Sequence, residues 1–413
     1  MDYQGEEIVK KILDIILLFL VALIITPDIG LAQSQSYQLL PAPDIWYNSV
    51  DGMRVGGRVI GKVPGTFEDG AHRLNAGFWL GTKIPTYPVS YYFKFTEPIP
   101  SISGFQSEAS VSVHSSYRTG FQDHGISFNK RWQTGFDEKN YKELSVGFRT
   151  EHRFDDEYLL YNQLWQNQWL FLVGVNAKIT DESSIGRYIL SYSADANVGG
   201  KYPEFLRTEI SFQENIPLSK NFSLTGRLYS GFATRRTAPE YLFSHSLGSA
   251  RTWMHSGLTR ARGTIPPAWV RGGNIQVTGG ANLRGYLHQD IVSLNQSGFP
   301  LFTSISAANF DLVYPNPIGH ALANIPVLGK FVNLKSYLFF DAGTSLGLTR
   351  LEEHRSLFDA GPGFTFSINI PDYLGKPRGF RIRYDLPLWV SKPGSEKSFK
   401  FRNVIGIGAV ISL

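Results

Sequence analysis

The sequence predicts an all-β fold, a transmembrane antiparallel β-barrel of about 16 strands. Three observations predict it. Apolar and polar residues alternate over stretches of about 10–14 residues, longer than the roughly 5–6 usual for strands of soluble sheets. Aromatic residues and glycine are dense, with 29 Phe, 20 Tyr, 8 Trp and 41 Gly in 413 residues and only 18% charged. Mean hydropathy is −0.14, and one long apolar run exists, so the chain is no polytopic helical membrane protein.

That run is Ile15–Ile25, preceded by Lys10 and Lys11 and followed by Gly30-Leu31-Ala32. A basic start, a short apolar stretch and a small-x-small site read as a secretory signal peptide over residues 1–32. A retained anchor helix is the alternative, and the acidic residues Asp2, Glu6, Glu7 and Asp14 fit a signal peptide poorly. Cleavage removes two Lys and five acidic residues, which moves the net charge from +5 to +8. The basic residues are scattered through alternating segments rather than blocked together, which argues against a nucleic-acid partner. With no cysteine there is no disulfide framework and no thiolate metal site.

A short periplasmic segment is expected over 33–44, and the barrel over 45–413. The alternation is cleanest near the C-terminus. Phe399, Phe401, Ile405, Ile407, Ala409, Ile411 and Leu413 fall on one face, with Lys400, Arg402, Gly406, Gly408 and Ser412 on the other. Phe380, Ile382 and Tyr384 oppose Arg381, Arg383 and Asp385, and Phe358, Phe364 and Phe366 oppose Asp359, Thr365 and Ser367. A soluble sandwich also alternates, but its water-facing side carries Lys and Glu; here the polar face is rich in Gly and Ser, which suits a crowded lumen. Upstream strands are expected to begin near Gly52, His72, Val89, Glu108, Gly125, Glu143, Trp169, Arg187, Phe205 and Phe222. One more is expected around Tyr241–Trp253, followed by starts near Phe302, Val332, Leu357, Gly379 and Phe399. Closure into a barrel is expected, because an open sheet edge in lipid leaves backbone groups unpaired.

Catalytic constellations are missing. There is no H-E-x-x-H, no G-x-S-x-G and no phosphate-binding Gly-Lys loop. His255-Ser256 suggests a base and a nucleophile, but adjacent strand residues point to opposite faces and cannot converge. Asp155-Asp156-Glu157 reads as a loop-tip charge cluster in preference to a calcium site. Trp132, Trp165, Trp169 and Trp389 are placed for the interfacial aromatic girdles. No enzyme activity, no cofactor and no metal are expected.

Two further motifs stand in order. The segment GGANLRGY ends on Arg284-Gly285-Tyr286, and FFDAG spans Phe339, Phe340, Asp341, Ala342 and Gly343. They are followed by GFRIRYDLPLWV and a terminal strand. Together they resemble the signatures of the bacterial surface antigen superfamily, the outer-membrane assembly and translocation barrels. WYNSVDGMRVGG at Trp46–Gly57 resembles first strands of the same superfamily, so the resemblance covers nearly all of 45–413. It implies a long extracellular loop folded into the lumen, with the Arg284-Gly285-Tyr286 tip against the wall motif Phe339, Asp341, Gly343. Arg284 would then pair with Asp341, either as a brace of the wall or as part of a gate.

Members of that superfamily carry periplasmic POTRA modules ahead of the barrel. Only about a dozen residues are expected between Ala32 and the first strand, too few for one such module of the family's kind. Other relatives carry the barrel behind aminopeptidase-like domains. The function expected is that of an integral protein of the bacterial outer membrane that assists insertion or translocation of protein, or of lipid. The alternative is a passive pore, or an anchoring barrel for a separately encoded soluble partner such as a peptidase. Expected partners are outer-membrane lipid and a periplasmic or surface protein.

Overall fold

A computed structural model describes residues 36–410 apart from loop stretches, of which 255–274 and 288–299 are the longest. The signal segment 1–32, His255-Ser256, Asp156-Glu157 and Leu413 lie outside the described residues.

One sheet of 18 strands makes up the molecule. The first part of the wall runs β1 (Gln38–Asn48), β2 (Gly52–Lys62), β3 (Arg73–Gly81), β4 (Val89–Pro98), β5 (Ser107–Arg118) and β6 (Phe121–Gln133). It continues through β7 (Tyr141–Arg153), β8 (Leu170–Glu182), β9 (Arg187–Asn197), β10 (Phe205–Pro217) and β11 (Ser223–Ala233). After a connection spanning 234–303 come β13 (Ser304–Tyr314), β14 (Val332–Leu346), β15 (Leu357–Pro371), β16 (Pro377–Asp385) and β18 (Val404–Val410). Two short pieces complete the set: β12 (Ile275–Val277), inside the connection, and β17 (Trp389–Val390), which continues the row of β16 along β15. Setting those two aside leaves the 16 wall strands, each antiparallel to its chain neighbour.

The alternation dictates which face each strand shows. In β7, Leu144, Val146 and Phe148 are exposed, while Glu151 points inward and is buried. In β14, Leu338 and Phe340 are exposed, and Tyr337, Phe339 and Asp341 are buried. Phe78, Ile126 and Leu228 are each at least half exposed on the same outer face. A water-soluble surface does not tolerate an apolar belt of this extent. In hydrocarbon each such side chain gains roughly 1.5–3 kcal/mol over exposure to water. Among the described residues no helix is long and apolar enough to cross a membrane. The fold is a transmembrane antiparallel β-barrel.

Three sequence expectations change. First, the wall begins at Gln38, inside the segment expected to be a connection, because β1 pairs with β2 over its whole length despite Pro41 and Pro43. Proline is tolerated in a strand where its nitrogen points away from the paired neighbour. Second, Tyr241–Trp253 is no strand. It holds two 3₁₀ turns, Pro239–Tyr241 and Ala250–Met254, whose apolar residues find partners on several sides inside the lumen. Third, the last strand starts at Val404, not at Phe399, which lies outside it in an isolated bridge with Trp389. Arg402 binds Glu396 at 3.2 Å and the Lys397 carbonyl at 2.8 Å, within the preceding turn.

At the opposite end of the wall from the 234–303 connection, β13 and β14 are joined through helices α1 (Pro317–Ala323) and α2 (Leu328–Phe331). Asn316 caps α1 by accepting from the amides of Ile318 at 2.9 Å and Gly319 at 3.2 Å, with Pro317 at the first helical position.

Candidate functional site in the lumen

The connection between β11 and β13 folds inward. Its second half carries Arg284-Gly285-Tyr286 as a single buried 3₁₀ turn. Asn282, just before the turn, holds a left-handed φ of 55°. Asparagine tolerates that conformation, and here its own carbonyl and side chain are both used: Asn309 Nδ2 donates to the Asn282 carbonyl at 3.1 Å, and Arg383 donates to Asn282 Oδ1 at 2.9 Å.

Arg284 is 1% exposed and ringed by carboxylates from three strands. Its Nε lies 3.0 Å from Asp341 Oδ2 as an ion pair, and its Nη2 donates to Asp341 Oδ1 at 3.1 Å. Nη2 also reaches Asp311 Oδ1 at 2.6 Å on β13, and Nη1 reaches Asp385 Oδ1 at 3.4 Å on β16. The backbone amide of Arg284 donates to Asp341 at 3.3 Å as well. The guanidinium lies 4.1 Å over the ring of Phe339. Asp385 takes further hydrogen bonds from Tyr337 at 2.5 Å, and Arg383 pairs with it at 2.5 Å. Such a group buried alone would be costly; paired with carboxylates of three strands, it fixes the loop to the wall.

The other motif residues fit the same contact. A Cβ at Gly285 would sit 2.5 Å from Val390 Cγ1 and 2.7 Å from Asp359 Cβ, so only glycine lets the turn touch the wall. A Cβ at Gly343 would meet Leu283 at 2.9 Å and the Ser306 carbonyl at 3.0 Å, so Gly343 opens the seat in which Leu283 packs. Tyr286 donates to the Phe358 carbonyl at 3.0 Å and lies 3.1 Å from Ser391 Oγ. All six residues singled out in the sequence therefore meet in one place. Sequence reasoning paired Arg284 with Asp341 alone. It missed Asp311 and also Asn309, which donates to Asp341 at 3.0 Å. Asp359, read only as a polar-face residue, is the cross-strand partner of Asp341.

A second anchor holds the first half of the connection. Arg251 reaches back to Glu151 on β7, its Nη2 at 2.7 Å and its Nε at 2.9 Å from both oxygens. Tyr241 donates to the other side of that carboxylate at 2.6 Å, and Arg149 donates at 2.8 Å. Arg251 also reaches Asp123 on β6 at 3.3 Å. Arg207 donates to the Tyr241 carbonyl at 2.9 Å. Glu240 in the neighbouring turn is buried, and burial pushes its carboxyl up to about 7. Trp165 packs edge-on against Phe121 and is 7% exposed, so it belongs to this inner cluster and not to the lipid girdle. Trp132 and Trp169 are exposed on the wall. The two halves meet where the Leu283 amide donates to the His245 carbonyl at 3.1 Å. Among the described residues no group of His, Cys, Asp or Glu is arranged to hold a metal.

No protein-family model and no curated protein matches the chain. Among solved structures the chain is similar to three barrels. BamA from Haemophilus ducreyi lacking POTRA domains 1-3 shares 12% identity at a TM-score of 0.46, over 91% of this chain and 71% of that one. CdiB from Escherichia coli shares 12% at 0.42, over 91% and 63%. CdiB from Acinetobacter baumannii shares 14% at 0.37, over 89% and 59%. The chain thus spans about six-tenths of the length of either CdiB.

Proposed function

We propose that this chain is an integral outer-membrane barrel of the surface-antigen type, exported through its N-terminal segment, that assists insertion or translocation of polypeptide at the outer membrane. The observation that carries the reading is the lumen itself. The described parts of the 234–303 connection are pinned by charges at two walls, an arrangement that suits a gated barrel better than an open pore. Arg284, Gly285 and Tyr286 form the movable side of the contact, and Phe339, Asp341 and Gly343 the fixed side. The barrel is non-enzymatic in this reading. Its partners are lipid on the outer face and a protein at the periplasmic or outer surface.

The test has two arms. In planar bilayers the purified barrel should conduct little, and Arg284→Ala should raise its conductance; a steady large conductance, equal in both, supports the passive-pore reading instead. In proteoliposomes the barrel should speed the insertion of an unfolded outer-membrane β-barrel client over protein-free liposomes. No acceleration, with low conductance, leaves an anchor for a separate soluble partner.

A further inference from the structure

The wall carries a hydrogen-bonded relay near the rim where β11 ends and β13 begins. β5 runs into that rim at Arg118, and β6 leaves it at Phe121. Ser115 and His124 stand directly opposite each other on these two strands. Sequence neighbours on one strand point apart, but cross-strand partners converge. Ser115 Oγ lies 2.8 Å from His124 Nδ1, and Gln122 Oε1 lies 3.3 Å from His124 Nε2. Gln122 thus accepts the His124 Nε2–H, which leaves Nδ1 to accept the proton of the Ser115 hydroxyl. The Gln122 amide nitrogen in turn donates to His152 Nδ1 at 3.1 Å. The Tyr91 hydroxyl stands 3.1 Å from Ser115 Oγ. A nucleophile, a base in the tautomer that takes its proton, a group that orients the base and a donor beside the nucleophile are the parts of a serine acyl hydrolase.

The relay faces outward. Gln122 and His124 share the strand parity of Ile126 and Phe128, which are exposed on the apolar outer face, and Ser115 shares that of exposed Val113. Aromatic rings mark its depth. Tyr91 stacks on Tyr117 at 6.1 Å and 7°, and His152 stacks on Trp169 at 4.6 Å and 12°. Tyr and Trp gather at the level of the lipid headgroups, where the ester linkages of membrane lipids also lie. Further from the rim, the same face offers Val113, Ile126 and Phe128 to an acyl chain. The polar relay therefore sits at the head of an apolar track.

We propose that Ser115, His124 and Tyr91, with Gln122 as a positioning residue, form an acyl hydrolase site on the lipid-facing wall, acting on the carboxylic ester of a membrane lipid. The site goes beyond the reading above, which assigns no catalysis, and stands whether or not the barrel handles polypeptide. Ser115 Oγ attacks the ester carbonyl while His124 Nδ1 takes its proton. Tyr91 donates to the carbonyl oxygen as it becomes negative. The bond to the lipid alcohol breaks, and the alcohol leaves with the proton from His124. Water from the rim then attacks the acyl-serine, giving its proton to His124. Fatty acid is released, and the proton returns to Ser115. Gln122 holds the imidazole in the tautomer that both steps need.

The test uses the full chain in vesicles of phosphatidylethanolamine and phosphatidylglycerol that carry a radiolabelled acyl chain. The wild type should release labelled fatty acid and leave lysophospholipid. An alkyl fluorophosphonate should stop the release and be found on Ser115 by peptide mass spectrometry. Each variant is compared at equal amounts of the compact band on a gel, so that lost activity is not lost fold. Ser115→Ala should abolish release. Tyr91→Phe keeps the ring stack and should lower kcat by about 100–1,000-fold, the effect of removing one oxyanion donor, with KM little changed. Gln122→Leu should lower kcat at unchanged KM, and Gln122→Glu, which keeps an acceptor for the Nε2–H, should restore it. A folded wild type that releases no fatty acid, or release undiminished in Ser115→Ala, would overturn the site. Equal kcat in Gln122→Leu and Gln122→Glu would overturn the role of Gln122.

Discussion

The two ends of the lumen connection are held by inverted charge patterns. At one wall a single guanidinium, Arg284, is surrounded by Asp311, Asp341 and Asp385. At the other a single carboxylate, Glu151, is surrounded by Arg149, Arg251 and Tyr241. The burial of the loop arginines differs as well: Arg284 is 1% exposed and Arg251 19%. In the first case the loop supplies the hub and the wall supplies the ring. In the second the wall supplies the hub, and Arg149, itself on the wall, stays to neutralise it if the loop leaves. The Arg284 end is therefore the strong anchor, since its departure leaves the buried Asp341 without a cation while Asp385 keeps only Arg383, and the Arg251 end is the one built to let go.

Substitutions break this asymmetry in a predicted order. Arg284→Ala should cost most, on the order of 3–5 kcal/mol, because the buried Asp341 and Asp385 lose their shared counter-charge. It would be read as a lower temperature for loss of the compact band on a gel. Gly285→Ala should follow, at about 1–3 kcal/mol, since the new Cβ collides with Val390 and with Asp359. Arg251→Ala should cost a similar amount, about 1.5–3 kcal/mol for lost charged hydrogen bonds and less than Arg284→Ala, because Arg149 still serves Glu151. The two arginines share no charged partner, so Arg284→Ala and Arg251→Ala combined should add to within about 0.3–0.5 kcal/mol. A larger coupling would mean that the connection moves as one body through the Leu283–His245 contact.

The smallest effect is a pH response confined to the Arg251 end. Glu240 has its folded carboxyl raised to about 7 from 4.5, so the folded loop holds a proton that the released loop gives up. Its contribution to stability is full below about 4.5 and is lost as pH rises through about 7. Amide exchange of residues 237–254 should therefore quicken between those limits, and Glu240→Gln should flatten the change. Equal quickening at residues 280–287 would show that the two ends are not separable.

The same asymmetry decided what the sequence revealed. Arg284 and Asp341 were legible because each sits in a run of unusual neighbours, Gly-Tyr on one side and Phe-Phe-x-Ala-Gly on the other. Glu151 and Arg251 are a hundred residues apart, each a lone charge in an ordinary context, and only the inward curl of the loop joins them. The wall strands were read from alternation, and the count of sixteen came from two opposite errors. β1 went unread because two prolines in QLLPAPDIWYN argue against a strand, yet it pairs with β2 over its whole length. Tyr241–Trp253 was read as a strand because its aromatics suit one, yet the lumen gives Tyr241, Leu242 and Phe243 apolar or hydrogen-bonding partners without a ladder. The parallel β12 carries three residues, too short for any periodicity to mark.

The central claim is that the tip of the connection is fixed inside the wall by Arg284 and Asp341, and a double-mutant cycle tests it most directly. Thermal unfolding of the wild type, Arg284→Ala, Asp341→Ala and the double variant would be compared in one detergent. The account predicts that the double variant is no less stable than the weaker single one, a coupling at the upper end of the roughly 0.5–3 kcal/mol seen for residues in contact. Fully additive losses would mean that the two side chains do not meet, and the loop would then not be seated in the lumen.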